Sequence, residues 1–302
     1  MLSFERIKQD FDNLLLRIIS PDNSPKTIFH YTSADGLNGI LCNSQLWFTR
    51  WDSLNDTSEH RYIHSLIKTC LNELNLDDTF TEYLHAINKM FLSFKQDNSN
   101  IQIDKNIYLA SFTTNGDSVP LWTHYTKSAQ NNGYCIGFDS DCIRESFKGM
   151  SFSINPVIYD ENKQKEIIRG FIKILYSIFK HIHNDSEHAN YARAGLQDYF
   201  EFFSTKVGCF FKRPEFQHEQ EIRIQMRIDA MQAIGKNEIK IRTSNGLLVP
   251  YISIPIKKES ITEITSSPTL EASAAYNGIR TAATLYGYSG DIKHSKLPLR
   301  NI

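Results

Sequence analysis

The sequence predicts an α+β fold built on a mixed, largely antiparallel sheet. Three observations carry that prediction. Short β-branched and aromatic runs with period-two alternation recur along the chain. Amphipathic stretches at helical spacing lie among them, without the strict strand–helix alternation of a parallel sheet. Late in the chain, 219–228, 239–242 and 247–256 follow one another closely, as antiparallel strands do.

The elements follow in order. Phe4, Ile7, Phe11, Leu14, Leu15 and Ile18 give residues 2–19 a helical period, stopped by Pro21 and Pro25. Residues 27–32 read as a strand. Ser33 or Asp35 then caps a helix through Leu41, and 45–49 reads as a second strand. Two helical patterns fill 58–95, broken near Asp77-Asp78. Residues 107–113 form a strong strand signal closed by the Asn115-Gly116 turn. Asp117 or Ser118 caps a short helix with Pro120 in its first turn, and 133–139 is again extended. Residues 161–205 are helical in two pieces, split around 183–186. The three late strands precede an Ala-rich helix over 269–286 and a polar tail with one strand. The expected organisation is a single α+β domain, 1–302, with 160–205 as a helical insertion. Two lobes around a cleft is the alternative.

The 302 residues are 41% hydrophobic and 22% charged, with 12% aromatics, which is globular composition. Lys and Arg total 33 against 34 Asp and Glu, so bulk electrostatic binding of nucleic acid is excluded, though a local basic groove is not. Five cysteines, an odd number without a CxxC pair, read as reduced thiols. Charged residues enter by Glu5, and the longest apolar patches fall short of the ~20 residues a membrane span needs. A soluble cytoplasmic protein without a membrane partner is expected.

No Gly-rich phosphate loop and no Gly-x-Ser-x-Gly elbow occurs. His60 and His64 have zinc-compatible spacing, but no third ligand is visible, so a solvated helix face is the better reading and no metal is expected. Three stretches stand out: Phe29-His30-Tyr31-Thr32-Ser33; Ser111-Phe112-Thr113 with Asp117, Trp122 and Tyr125; and Phe211-Lys212 with Glu219, Glu221 and Arg223. Strand alternation sets Glu219, Glu221 and Arg223 on one face. Two carboxylates and a guanidinium there fit either a site or a solvated salt-bridged edge. The half-polar helix around Trp122 and Tyr125 is expected to line a cleft.

Together these stretches resemble a bacterial family known as domain of unknown function 2971. Its early pattern is matched at Phe29–Ser33, Ile40-Leu41, Leu46–Phe48 and Asn55-Asp56. Its middle pattern is matched at Ser111–Thr113, Asp117, Leu121-Trp122, Tyr125 and Gly133–Phe138. Its late pattern falls at Phe211-Lys212 and Glu219–Arg223, and a tail pattern at Ser295, Pro298 and Arg300. Thr57 stands where a Pro is usual, and Ser266-Ser267-Pro268 where Ile-Gly-Pro is common.

A second resemblance is chemical. A His on an early strand, an aromatic on a middle helix and a late Glu are similar to the His-Tyr-Glu order of ADP-ribosyltransferases. The Glu-x-Glu pair resembles the acidic turn of their arginine-modifying branch. This resemblance implies a central cleft that takes NAD as substrate. Glu221 and Glu219 would be catalytic. His30, Tyr31, Thr32, Ser111, Trp122, Tyr125, Arg223 and Arg300 would bind the dinucleotide. It also implies a toxin or phage-defence effector that modifies a protein or nucleic acid, or spends the ADP-ribose on water. A nucleotide sensor without catalysis is one alternative. The other is a metal-dependent nucleic-acid-processing enzyme using Glu219, Glu221 and Asp117.

Overall fold

A computed structural model of the chain describes residues 9–15, 25–54, 58–93, 107–126, 132–183, 189–228, 238–244 and 246–299. In chain order the elements are α1 (9–15), β1 (Thr27–Thr32), α2 (Ala34–Asn43), β2 (Gln45–Arg50), α3 (Ser58–Glu73), α4 (Asp78–Ser93), β3 (Ile107–Thr113), α5 (Val119–Tyr125), β4 (Tyr134–Asp139), α6 (Ser140–Ser146), β5 (Ser151–Pro156), α7 (Glu161–His183), α8 (Ala189–Lys206), β6 (Glu221–Arg227), β7 (Ile239–Ser244), β8 (Leu247–Pro255), β9 (Ile261–Ser266), α9 (Ala272–Tyr286) and β10 (Asp291–His294). The rest of the expected first helix, 2–8 and 16–19, lies outside the described residues. The strands β5 and β9 and the helix α6 are additions to the sequence reading.

The chain divides into two compact units. One comprises Met1–Ser20, Leu54–Lys105 and Val157–Phe216; the other comprises Pro21–Ser53, Asn106–Pro156 and Gln217–Ile302. Residues 160–205 belong to the first, together with the stretch 54–105.

The first unit is helical over its described elements. In α7, Ile168, Phe171, Ile172, Leu175 and Phe179 recur at three- and four-residue intervals and are buried. Phe171 lies flat on Phe203 of α8, with ring centroids 3.8 Å apart and planes 5° from parallel. Both rings are fully buried, each worth about 1.5–3 kcal/mol of apolar burial. A polar staple crosses this core. Gln164 donates to the carbonyls of Ile158 and Lys212 and accepts the Tyr62 hydroxyl at 2.8 Å. On the expected solvated face of His60 and His64, His64 is instead buried, as is the neighbouring Glu59, and the His60 side chain lies outside the described residues. The His64 Nδ1 meets Asn88 Oδ1 at 2.6 Å, and Asn88 donates back to the His64 carbonyl. Tertiary partners outweigh the local polarity of that helix.

The Tyr62 staple has a pH consequence. Burial pushes its phenol up to about 12, and burial also raises the phenols of Tyr31 and Tyr288. A phenol held above its unfolded value of about 10 keeps its proton longer in the folded state. Its stabilising contribution is complete below about pH 10 and is lost as pH rises through the folded value. Urea denaturation across this range should therefore show stability falling between about pH 10 and 12. The fall should be shallower in Tyr62→Phe, and a flat profile would contradict the assignment.

In the second unit, ten strands among the described residues form one open sheet in the order β10-β9-β4-β1-β3-β2-β8-β7, with β6 between β3 and β5. Every pairing is antiparallel except β9 with β10. One face is apolar: Ile28, Phe48, Phe112, Phe138 and Ile224 pack with Leu37 of α2, Ile143 of α6 and Ile279 of α9. The Ser33 side chain accepts from the Gly36 amide and fixes the start of α2. Register places Thr113 with Glu221, and Ser111 with Arg223 and Asn155, on the opposite, polar face.

Two features of the topology set the edges and ends of the strands. First, β6 pairs along the whole of β3, so β1 and β2 divide the other edge of that strand. β1 touches it at Phe29↔Thr113 and β2 at Thr49↔Leu109, which leaves a fork between them. Second, the end of β2 pairs with the start of β3 at Arg50↔Tyr108, and the end of β5 pairs with the start of β6 at Pro156↔Ile222.

Candidate functional site

A connected polar network of the sheet unit surrounds the turn after β3. Thr113, the last residue of β3, donates its hydroxyl to the Glu219 carbonyl at 2.7 Å and accepts the Asn115 amide. Tyr31, from the end of β1, donates to the Asn115 carbonyl and accepts the Ser118 amide, each at 3.0 Å. One hydroxyl thus holds both sides of the turn, and burial raises its pKa. The turn needs Gly116, because a Cβ there would sit 2.6 Å from the Phe29 ring.

The turn feeds α5. Ser118 occupies its N-cap position without a side-chain cap bond, and Pro120 stands in the first turn. Asp117, expected as a cap, instead accepts the Trp122 indole N–H and the Ser295 hydroxyl, both at 2.7 Å. Trp122 packs edge-on against Tyr31, with centroids 4.7 Å apart. Leu297 and Leu299 of the tail join Tyr31, Leu121, Trp122 and Cys135 in one apolar cluster.

Trp122 is fully buried, which corrects its expected place on a cleft wall. A bonded indole nitrogen and an aromatic partner from a distant strand draw it into the core. Tyr125, three residues on, stays 37% exposed and donates its hydroxyl to Glu219 Oε1 at 2.7 Å.

The two glutamates do not share a strand face. Glu219 ends a 3-10 turn, and β6 begins only at Glu221. Between them Gln220 has a φ of 45°, a left-handed conformation that costs a non-glycine residue energy and clusters at functional sites. It is held by two bonds with Thr114. Glu219 therefore stands on a turn, where the sequence places it in a strand.

Glu221 is buried and accepts from Arg223 Nε and Nη2 at 2.8 and 2.9 Å, a bidentate pair with Arg223 itself 2% exposed. The expected solvated edge is in fact a buried ion pair.

The remaining candidates are not all brought to this corner. His30 is on the opposite face of β1 from Tyr31, beside Phe112, and its Nδ1 contacts the Ser111 carbonyl at 2.9 Å. It thereby fills part of the fork in the sheet. The Ser111 side chain is exposed. Thr32 lies against the first turn of α2, where its hydroxyl would meet a Cβ on Gly36. Arg300 lies outside the described residues. Among the described residues no three His, Cys, Asp or Glu side chains are grouped to hold a metal, and no helix is long and apolar enough to cross a membrane. Asn115 and Gln220 were missed as site residues. The Asn-Gly pair is a visible turn signal for the first, whereas nothing local marks the second.

No curated protein and no solved structure matches the chain. A family match covers about a third of it, from α5 to β6, and so takes in Trp122, Tyr125, Glu219, Glu221 and Arg223 but leaves out His30, Tyr31, Thr32, Ser111 and Arg300. As the motif order predicts, residues 121–224 match the model of the family described as Protein of unknown function (DUF2971).

Proposed function

We propose that the corner formed by β1, the turn after β3, α5 and the start of β6 binds NAD and cleaves its nicotinamide–ribose bond, in the manner of an ADP-ribosyltransferase. The observation that carries this reading is the pair Tyr125–Glu219: a half-exposed ring bonded at 2.7 Å to a carboxylate on a strained turn. In this reading the ring stacks on nicotinamide. The glycosidic bond breaks with its electron pair leaving on nicotinamide. The positive charge left on the ribose carbon is stabilised by the Glu219 carboxylate. The acceptor's nucleophile then forms the new bond to that carbon and passes its proton to solvent. Glu219 ranks ahead of Glu221, because it bonds the half-exposed Tyr125 ring, whereas Glu221 is held in a bidentate ion pair by Arg223. A protein, a nucleic acid or water serves as acceptor, and a cytoplasmic toxin or phage-defence role fits such chemistry.

Release of nicotinamide from NAD by the purified protein, with and without lysate as acceptor source, tests the reading. Tyr125→Ala should weaken NAD binding by about 1–3 kcal/mol, the range for aromatic stacking on a base. No release under any condition would overturn it. Binding of NAD without release would favour a nucleotide sensor, a second reading supported by the burial of both carboxylates.

A further inference from the structure

The outer strands β2, β8 and β7 carry a second cluster on one face, made of different residues from the corner. Register sets Thr49 beside Tyr251 and Tyr251 beside Lys240, with Trp47 beside Ser253. The Trp47 ring is 50% exposed and leans on Tyr251, with centroids 4.6 Å apart. The other two tryptophans, Trp51 and Trp122, are buried. An exposed indole braced by a second ring is a platform for a flat partner.

Two cations flank this platform. Arg242 donates from Nη2 to the Thr49 hydroxyl at 3.0 Å, while its Nε is buried and meets no acceptor among the described residues. Lys240 is exposed and bonds the Ser253 hydroxyl at 2.7 Å. Glu238, just before β7 on the same alternation, is exposed, and no ion pair joins it to either cation among the described residues. A guanidinium drawn from water with one neutral partner is costly, and burial works against its charge. An arriving phosphate would supply the missing acceptor in the geometry its fork prefers.

We propose that this face of β2–β8–β7 binds single-stranded nucleic acid, with Trp47 stacking on a base and Arg242 and Lys240 holding backbone phosphates. The face is an open strand surface, where a mononucleotide would favour an enclosed pocket. Its cations are spaced along one strand by about 7 Å. Stacking on Trp47 needs an unstacked base, which a duplex does not offer. The assignment is independent of the NAD reading, so a protein inactive on NAD should still bind.

The test is fluorescence anisotropy of a short labelled oligothymidylate with the full chain, alongside quenching of the exposed tryptophan. Trp47→Ala should weaken binding about 5- to 150-fold. Arg242→Gln and Lys240→Ala should each lower the magnitude of the salt slope of log K by about 0.7, the single-strand value per phosphate. Circular dichroism reports whether Arg242→Gln stays folded. If it does not, the exposed Lys240 and Trp47 variants decide. No anisotropy change with wild type would overturn the proposal. So would wild-type affinity in folded Trp47→Ala and Lys240→Ala, or equal competition by thymidine monophosphate, by a duplex or by an acidic peptide.

Discussion

Glu219→Gln should lower nicotinamide release by about 10²- to 10⁴-fold, the usual worth of a positioned catalytic carboxylate. The substitution keeps the side-chain volume and can still accept the Tyr125 hydroxyl through its amide oxygen, a bond that measures 2.7 Å in the native protein. The Thr113 bond goes to the Glu219 backbone carbonyl and is untouched. The turn should therefore survive, with a melting temperature close to wild type and an NAD affinity that changes far less than the rate. The comparison to make is single-turnover release at saturating NAD. A rate equal to wild type would remove Glu219 from the chemistry, and an equal rate in Glu221→Gln as well would discard the transferase reading.

Arg223→Ala should cost about 3–5 kcal/mol of stability, the penalty for leaving one partner of a buried ion pair behind. Arg223 and Glu221 are 2% and 5% exposed, and the bidentate contact uses both carboxylate oxygens. Removing the guanidinium takes both bidentate bonds from a buried carboxylate and opens a void. Glu221→Gln should also destabilise, though less, because a neutral amide replaces the charge and can still accept one of the two bonds. This reverses the expectation for an exposed cleft residue, whose substitution would leave stability almost unchanged. Equilibrium denaturation of both variants measures the difference. A loss below about 1 kcal/mol in Arg223→Ala, the scale of a surface pair, would show that the pair is solvated in solution.

The fold was legible wherever alternation ends at a turn signal. β1 and β3 occupy 27–32 and 107–113, the limits read from sequence, because Pro25 and Ser33 bound the first and Asn115-Gly116 follows the second. β5 escaped notice although Phe152 and Ile154 alternate with Ser151, Ser153 and Asn155, since its six residues end in Pro156. Period-two spacing continues through Glu219 and predicts a strand there, and only the backbone of Gln220 interrupts the pattern. Trp122 is the clearest case of information absent from the local pattern. Its helix looks half polar, yet its place is decided by Tyr31, Asp117 and, through Asp117, Ser295. The order of the motifs foretold which segments would carry the corner, but its wiring depends on pairings between residues about ninety positions apart.

The register at the two ends of the helical stretches has a consequence for how this chain tolerates insertion. Arg50 faces Tyr108, and Pro156 faces Ile222, across antiparallel pairs. Each excursion therefore leaves the sheet and returns to it on neighbouring strands, as the loop of a β-hairpin does. The entropic cost of closing such a loop grows only logarithmically, by about 0.6 kcal/mol for each doubling of length. Helices can thus lengthen, shorten or be exchanged inside either loop without shifting the register of any strand. The length of the helical segments and the geometry of the sheet are free to evolve separately.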